Sequence, residues 1–429
     1  MAGRNGSNGK NGRNGRHPTR VVVTGMGAIT PIGNSVAEFW ESCLAGKSGI
    51  DILTSFDHSA YPIHIAGEVK NFDPEEHMDR RDARRMARFS QFAIAATHEA
   101  IKQAELDMDE VDRTRVGVLI GNGIGGLVET QEAVRTVDRR GGMKIDPFYF
   151  PKMLPNMAAA HIALHVGAKG YNNTVITACA AGTQALGDAL DLVRAGRVDV
   201  ALAGGTEATL CETGLAGFAV IRALSSHNEE PQKASRPFDA ERDGFVAAEG
   251  AGIFVLENLE HARKRNAPIL AELAGYGAGS DAYHVVAPSE DGEGAANAMT
   301  WALEDAGVEP SAIDYINAHG TSTKLNDLSE TLAIKRVFGE DAYRVPISAT
   351  KSMIGHAFGA AGAVESIAAV QSIQTGMIHP TINYEHPDPD CDLDYVPNES
   401  RRVDVDVVLK NSFGFGGQNA CLVFKRFAE

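Results

Sequence analysis

Cys179 closes an apolar run in "TVITACAAGTQALGDALDLVR" (174–194), and a helix of small residues begins at once. A thiol in that place meets helix N–H groups without partners and the positive end of the helix dipole, both of which favour its anion. Lowering a thiol from a pKa of ~8.5 to near 7 takes about 2 kcal/mol, which a favourable, partly buried helix end supplies. Placement alone leaves two readings, a nucleophile or a small apolar filler, because free cysteine is among the most buried residue types. Cys43, Cys211, Cys391 and Cys421 have no such placement.

Three further segments carry groups that could serve such a thiol. In "INAHGTSTKLND" (316–327), His319 follows a strand pattern, at the carboxyl end where open α/β sheets bind ligands. Thr321 and Thr323 behind it also read as ordinary caps of the next helix. In "SATKSMIGHAFGAAGAVE" (348–365), one turn brings Lys351 and His356 together and the following helix carries Glu365. A lysine beside an Ala/Gly helix that expects burial needs a partner, and Glu365 is the nearest candidate. In "NSFGFGGQNA" (411–420), glycines at 414, 416 and 417 allow backbone N–H groups to approach a ligand around Phe415. Taken alone, that stretch is also a glycine-rich turn or bulge.

Two patterns are set aside. "GNGIGG" (121–126) matches the dinucleotide fingerprint after a strand, but no second strand ending in an acid follows at the right distance. "HIALH" (161–165) spaces two histidines on one helix face without the glutamate of a zinc protease. No metal and no cofactor is expected.

The elements that must position these residues alternate in type. Short Val/Ile/Ala runs follow longer helical patterns from Arg20 onward, the rhythm of a sheet covered by helices. "RVVVTG", "VGVLIG", "TVITA", "VDVALAGG" and "GIFVLE" read as strands of a first half. "ILAELAGYGAG", "DYINAHG", "VPISATKS", "DVVLKNSFGFGG" and "ACLVFKR" read as strands of a second. Each half holds a strand, a short turn and an Ala/Gly-rich helix in corresponding places, which suggests duplication of one α/β unit with a central layer between two sheets. The halves divide near 260, as 20–260 and 261–429, with residues 1–19 as a flexible basic tail.

A formal charge of -16 argues against a nucleic-acid binder, since phosphate affinity rests on clustered Lys and Arg. Five scattered cysteines without a C-x-x-C pair suggest neither a disulfide framework nor a zinc knuckle, and fit a reducing cytoplasm. No apolar stretch reaches the ~18 residues of a membrane span.

"TACAAGTQA", "NAHGTST", "TKSMIGHAFGAAGAVE" and "NSFGFGGQN", in this order, resemble the β-ketoacyl-[acyl-carrier-protein] synthases, and among them the type II elongating enzymes of bacterial fatty acid synthesis. The resemblance runs from about Arg20 to the C-terminus. It implies a duplicated thiolase-type fold of five layers, α-β-α-β-α, usually homodimeric, and an acyl chain held on Cys179 as a thioester. It further implies that His319 and His356 hold a malonyl thioester carbonyl, that Lys351 and Glu365 organise the site, and that the backbone N–H groups of Cys179 and Phe415 receive an oxyanion. Thr321 and Thr323 would bind the phosphopantetheine arm, Phe415 would gate the site beside Phe413, and Ile124 and Phe218 would line the acyl pocket. Arg81, Arg84 and Arg85 in "DRRDARRMAR" (79–88), with Arg222, match the positions that dock acyl carrier protein. That partner is itself acidic, so an acidic body needs such a positive island. Lys324 and Gln418 depart from the Pro and Thr of many relatives. A polyketide ketosynthase and a thiolase are the neighbouring readings; a noncatalytic chain-length partner would be expected to lack the thiol.

Overall fold

The structure is a computed structural model that describes residues 19–429. The tail expected over 1–19 lies outside the described residues, Thr19 excepted. All ten apolar runs form strands; most are buried along nearly their whole length and β-branched or small, the exception being the edge strand at 172–175. The first five are β1 (Val21–Ile29), β2 (Val116–Gly121), β3 (Asn172–Val175), β4 (Val200–Glu207) and β5 (Gly250–Asn258). The second five are β6 (Ala271–Ser280), β7 (Tyr315–Asn317), β8 (Ile347–Ser348), β9 (Val407–Gly414) and β10 (Gln418–Lys425).

The two groups share one plan. The first runs β3-β2-β4-β5-β1 in space and the second β8-β7-β9-β10-β6, so each has its strands in the order third, second, fourth, fifth, first. The directions agree as well: three parallel strands are followed by two antiparallel ones in each group. The groups join through a short antiparallel contact of β1 with β6, Val22 opposite Glu272 and Val23 opposite Ala271, which makes the ten strands continuous.

Helix α1 (Arg88–Gln103) covers the outer face of the first group, and α3 (Glu293–Ala306) with α4 (Lys324–Phe338) covers that of the second. Helices α2 (Ala181–Arg194) and α5 (Ala361–Thr375) lie between the sheets. The layers are therefore α-β-α-β-α, the duplicated thiolase-type architecture. One core cluster runs through the middle layer, joining Leu119 and Phe254 of the first group, Leu186 and Leu190 of α2, Ile367 of α5, and Leu422 and Phe424 of the second group.

Small residues at the start of both central helices permit their close crossing. A Cβ at Gly182 would stand 2.8 Å from the Gly359 carbonyl oxygen, and one at Gly362 would stand 2.8 Å from the Thr183 nitrogen. Neither leaves room for a methyl group. This contact sets the distance between the segments that carry Cys179 and His356.

Candidate active site

Two turns of one design meet at the crossing. A 3₁₀ turn, Ala178–Ala180, leads into α2, and another, Phe358–Ala360, leads into α5. Each begins on a non-glycine residue in the left-handed region, Ala178 at φ 50° and Phe358 at φ 45°, a strained conformation that the packed helices hold in place. Cys179 occupies the middle of the first turn and Gly359 the middle of the second. A Cβ on Gly359 would stand 2.7 Å from the Asn122 carbonyl carbon, so only the first turn has room for a side chain.

Cys179, His319 and His356 line one cavity of about 510 Å³. His319 lies two residues beyond the end of β7, and His356 just before the second turn. Both are buried, with ring centroids 5.5 Å apart and planes at 85°. Phe413 meets the His319 ring edge-on at 5.7 Å. Phe218 stacks on Phe358 at 4.9 Å and lies 6.3 Å from Phe415. Ile124, Thr321 and Thr323 border the same space. The two threonine hydroxyls are 2.9 Å apart, and Thr323 also accepts from the Asn326 N–H at 3.4 Å, so it caps α4 while it faces the cavity. Lys324 begins that helix.

Lys351 and Glu365 stand behind His319. Lys351 Nζ donates to Glu365 Oε1 at 2.5 Å, to the His319 carbonyl at 2.6 Å and to His319 Nδ1 at 3.2 Å. All three ammonium protons are committed, and a lysine cannot accept, so Nδ1 is the acceptor and the ring proton resides on Nε2. Burial drives both imidazoles well below their usual range, and the positive charges of Lys351 and Lys410 add to the effect. They are neutral at physiological pH. A neutral ring with its proton on Nε2 is a hydrogen-bond donor toward the cavity.

The thiol departs from the expectation at the helix start. Burial pushes Cys179 up to about 12, against smaller opposing effects of the Lys351 charge and the N–H groups of Phe415 and Cys179 itself. A helix dipole worth about 2 kcal/mol recovers roughly 1.5 pH units, which leaves the sulfur neutral at rest. Cys179 also precedes α2 rather than sitting in its first turn. The N–H groups of Cys179 and Phe415 converge on a neutral thiol, not on a standing thiolate.

Three buried acids and bases have no part in the sequence reading. Glu207, at the end of "ALAGGTE", accepts the Gly123 N–H at 2.6 Å and the Gly359 N–H at 3.2 Å, and burial raises it to about 7. The loop that mimics a dinucleotide fingerprint thus wraps a carboxylate of the chain itself. Glu330 accepts from the His319 and Gly320 N–H groups, both at 2.8 Å. Lys410, fully buried on β9, lies 2.8 Å from Glu365 Oε2. Its signal was a charged residue inside the apolar run "VVLKNSF".

The arginines separate into two places. Arg81, Arg84 and Arg85 line a surface groove with Phe148, whose ring lies 4.9 Å from the Arg85 guanidinium carbon. Arg222 is exposed at the main cavity instead.

A neutral resting thiol has a direct consequence. With the group raised to about 12, its thiolate fraction grows with pH across the whole accessible range. Alkylation of Cys179 by iodoacetamide should accelerate about tenfold per unit from pH 7 to 10 without a plateau. Saturation near pH 7 would contradict the burial effect.

Comparison with known proteins agrees with this geometry. The family described as Beta-ketoacyl synthase, N-terminal domain, matches residues 18–262, and that described as Beta-ketoacyl synthase, C-terminal domain, matches 270–385. The chain is 50% identical over 408 residues to the 3-oxoacyl-[acyl-carrier-protein] synthase 2 of Synechocystis sp., covering 95% of this chain and 98% of that one. Among solved structures, the ishigamide ketosynthase/chain length factor matches with a TM-score of 0.91 at 39% identity, over 96% of this chain and 100% of that one. A ketosynthase bound to a hexaketide, in complex with its type II polyketide acyl carrier protein, matches at 0.88 and 39%, with the same coverage. Similarity that spans both halves and nearly the full length of its relatives leaves one assignment: the chain belongs to the β-ketoacyl synthase family.

Proposed function

We propose that this chain catalyses the decarboxylative Claisen condensation of fatty acid elongation, joining a Cys179-bound acyl group to malonyl-acyl carrier protein to give 3-oxoacyl-acyl carrier protein. The observation that carries this reading is one cavity that holds a thiol and two neutral imidazoles. Cys179 attacks the acyl thioester of the carrier, the carrier thiol leaves with the proton, and the acyl group stays on sulfur. Malonyl carrier then enters with its thioester carbonyl against His319 and His356. Loss of CO2 leaves an enolate, whose oxygen the two ring N–H groups stabilise without any change in protonation. The carbanion attacks the Cys179 thioester, the tetrahedral oxyanion meets the N–H groups of Cys179 and Phe415, and collapse expels the sulfur.

Thr321 and Thr323 hold the pantetheine arm near the mouth, Phe413 and Phe415 flank the reacting carbonyls, and Ile124 and Phe218 bound the acyl chain. The division of labour follows the halves: residues up to about 260 supply the nucleophile, and those beyond supply both histidines. Fatty acid elongation is favoured over polyketide synthesis by 50% identity to the Synechocystis enzyme against 39% to the ketosynthase structures. Working cysteine chemistry needs a reduced thiol, which supports the cytoplasm as its location.

Two surfaces fit two partners. Arg81, Arg84 and Arg85 in their groove, and Arg222 at the cavity mouth, offer an acidic carrier protein a local positive field on an otherwise negative body. A second copy of the chain fits the open edge of β3, where Leu164, Tyr171 and Ile176 are exposed beside unpaired strand groups. A homodimer buries that edge, and a light-scattering mass of a single chain would contradict it.

In a purified assay, Cys179→Ala should abolish condensation, whereas Cys179→Gln should retain malonyl decarboxylation. Full elongation by the alanine variant would disprove the covalent step. Reversing Arg81, Arg84 and Arg85 to Glu should raise KM for the carrier and flatten the salt dependence; unchanged kinetics would remove the groove from docking.

A further inference from the structure

Lys410 is a second buried lysine at the site. It follows the apolar residues 407–409 of β9 and precedes Asn411 and Ser412, and its side chain reaches Glu365 on α5. Burial alone would make an ammonium there unfavourable, and burial does lower its pKa, with Glu365 as the main opposing effect. Nζ forms an ion pair with Glu365 Oε2 at 2.8 Å, donates to Ser412 Oγ at 3.0 Å, and donates to the Asn411 carbonyl. Ser412 Oγ is in turn 2.7 Å from Thr183 Oγ1, on the helix that follows Cys179. A chain of contacts therefore runs from that helix through Ser412, Lys410, Glu365 and Lys351 to the His319 ring.

Within this chain Glu365 has two oxygens and two cationic partners. Oε1 belongs to Lys351 and Oε2 to Lys410. Remove Lys410, and the carboxylate is free to rotate or to draw Lys351 across both oxygens. Lys351 would then lose its hold on His319 Nδ1, which at 3.2 Å is the longest of its three contacts.

We propose that Lys410 is a positioning residue for the decarboxylation half-reaction: by occupying Glu365 Oε2 it confines Lys351 to Oε1, where Lys351 fixes the His319 ring with its Nε2 edge free for the malonyl carbonyl. The proposal rests on the condensation reading above. It assigns Lys410 no contact with substrate.

The surrounding charges give the proposal a pH signature. Lys351, Lys410, Glu365, Glu330 and Cys179 are the titratable groups packed about the two rings. Asp243, Asp281 and His284 lie further along the same cavity. Besides burial, the Lys351 and Lys410 charges both keep the rings unprotonated. Taking away Lys410 removes one of these charges and leaves Glu365 less neutralised. Both changes favour the imidazolium, so ring protonation moves to higher pH than in the parent, although burial still opposes it. A protonated His319 has no acceptor for Lys351, and decarboxylation then falls as pH is lowered.

The test separates the two half-reactions in the full-length enzyme. Lys410→Met removes charge and hydrogen bonds, Lys410→Gln keeps donors for Ser412 and the Asn411 carbonyl without the charge, and Lys410→Arg keeps the charge. Acyl transfer to Cys179 is read by intact mass, and CO2 release from malonyl carrier is read as kcat and KM from pH 5 to 8. In Lys410→Met and Lys410→Gln, decarboxylation kcat should fall at least about tenfold, short of the ~10²–10³ lost with an oxyanion donor itself. KM and acyl transfer should stay within about threefold, and an acid limb absent from the parent should appear. Lys410→Arg should remove that limb. If Lys410→Met does not fold, Lys410→Gln carries the same expectation. Parent-like decarboxylation and pH profile in Lys410→Gln, or an equal loss of both half-reactions, would overturn the proposal. Failure of the parent enzyme to release CO2 would instead refute the condensation reading.

Discussion

The close crossing of α2 and α5 is the constraint on which the site depends. Cys179 and His356 are 177 positions apart in sequence, counted from their numbers, yet each sits beside the first turn of one of these helices. Gly182 and Gly362 let the helices approach until main chain meets main chain. Any larger residue at the crossing would push the turns apart and carry the thiol away from the imidazoles. The middle layer thus fixes the chemistry as well as the fold. Duplication of the turn supplies the symmetry, and the different side chains at Cys179 and Gly359 break it.

Burial gives the site its second property. Burial beside phenylalanines holds the imidazoles neutral and the thiol protonated. Neither state favours a fast free nucleophile. Both suit the proposed condensation, in which N–H groups already point to where charge develops and little reorganisation accompanies the reaction. The cations behind His319 are tolerated because Glu365 and hydrogen bonds satisfy them. Arranged in this way, charge lies behind His319, and in the proposed reaction neutral donors face the substrate.

Most of the ten strands are legible in sequence because they are buried on both faces and read as continuous apolar runs; the edge strand β3 is the exception. Cys179 and His319 stand out because each lies where a strand gives way to a turn, and His356 because it shares a short segment with Lys351 ahead of an Ala/Gly-rich helix. The loop at 121–126 is set aside as a dinucleotide site on sequence, but Glu207, whose carboxylate it wraps, comes 81 positions after Gly126 and no local pattern joins the two. Lys410 went unseen because its partner arrives from α5, and local pattern says nothing about which distant carboxylate a strand residue will meet. The protonation of Cys179 is hidden from local pattern for a related reason. A helix start is visible in sequence, whereas the depth of the pocket around it is a property of the assembled layers.

The central claim is that one cavity performs two separable steps, with Cys179 holding the acyl group and the paired imidazoles releasing CO2. Its most direct measurement is single-turnover analysis of a His319→Ala/His356→Ala double variant, with acyl-Cys179 followed by peptide mass and CO2 by label. The account predicts that the acyl adduct forms and persists while CO2 release from malonyl carrier is lost. Undiminished CO2 release, or an adduct on a residue other than Cys179, would contradict it.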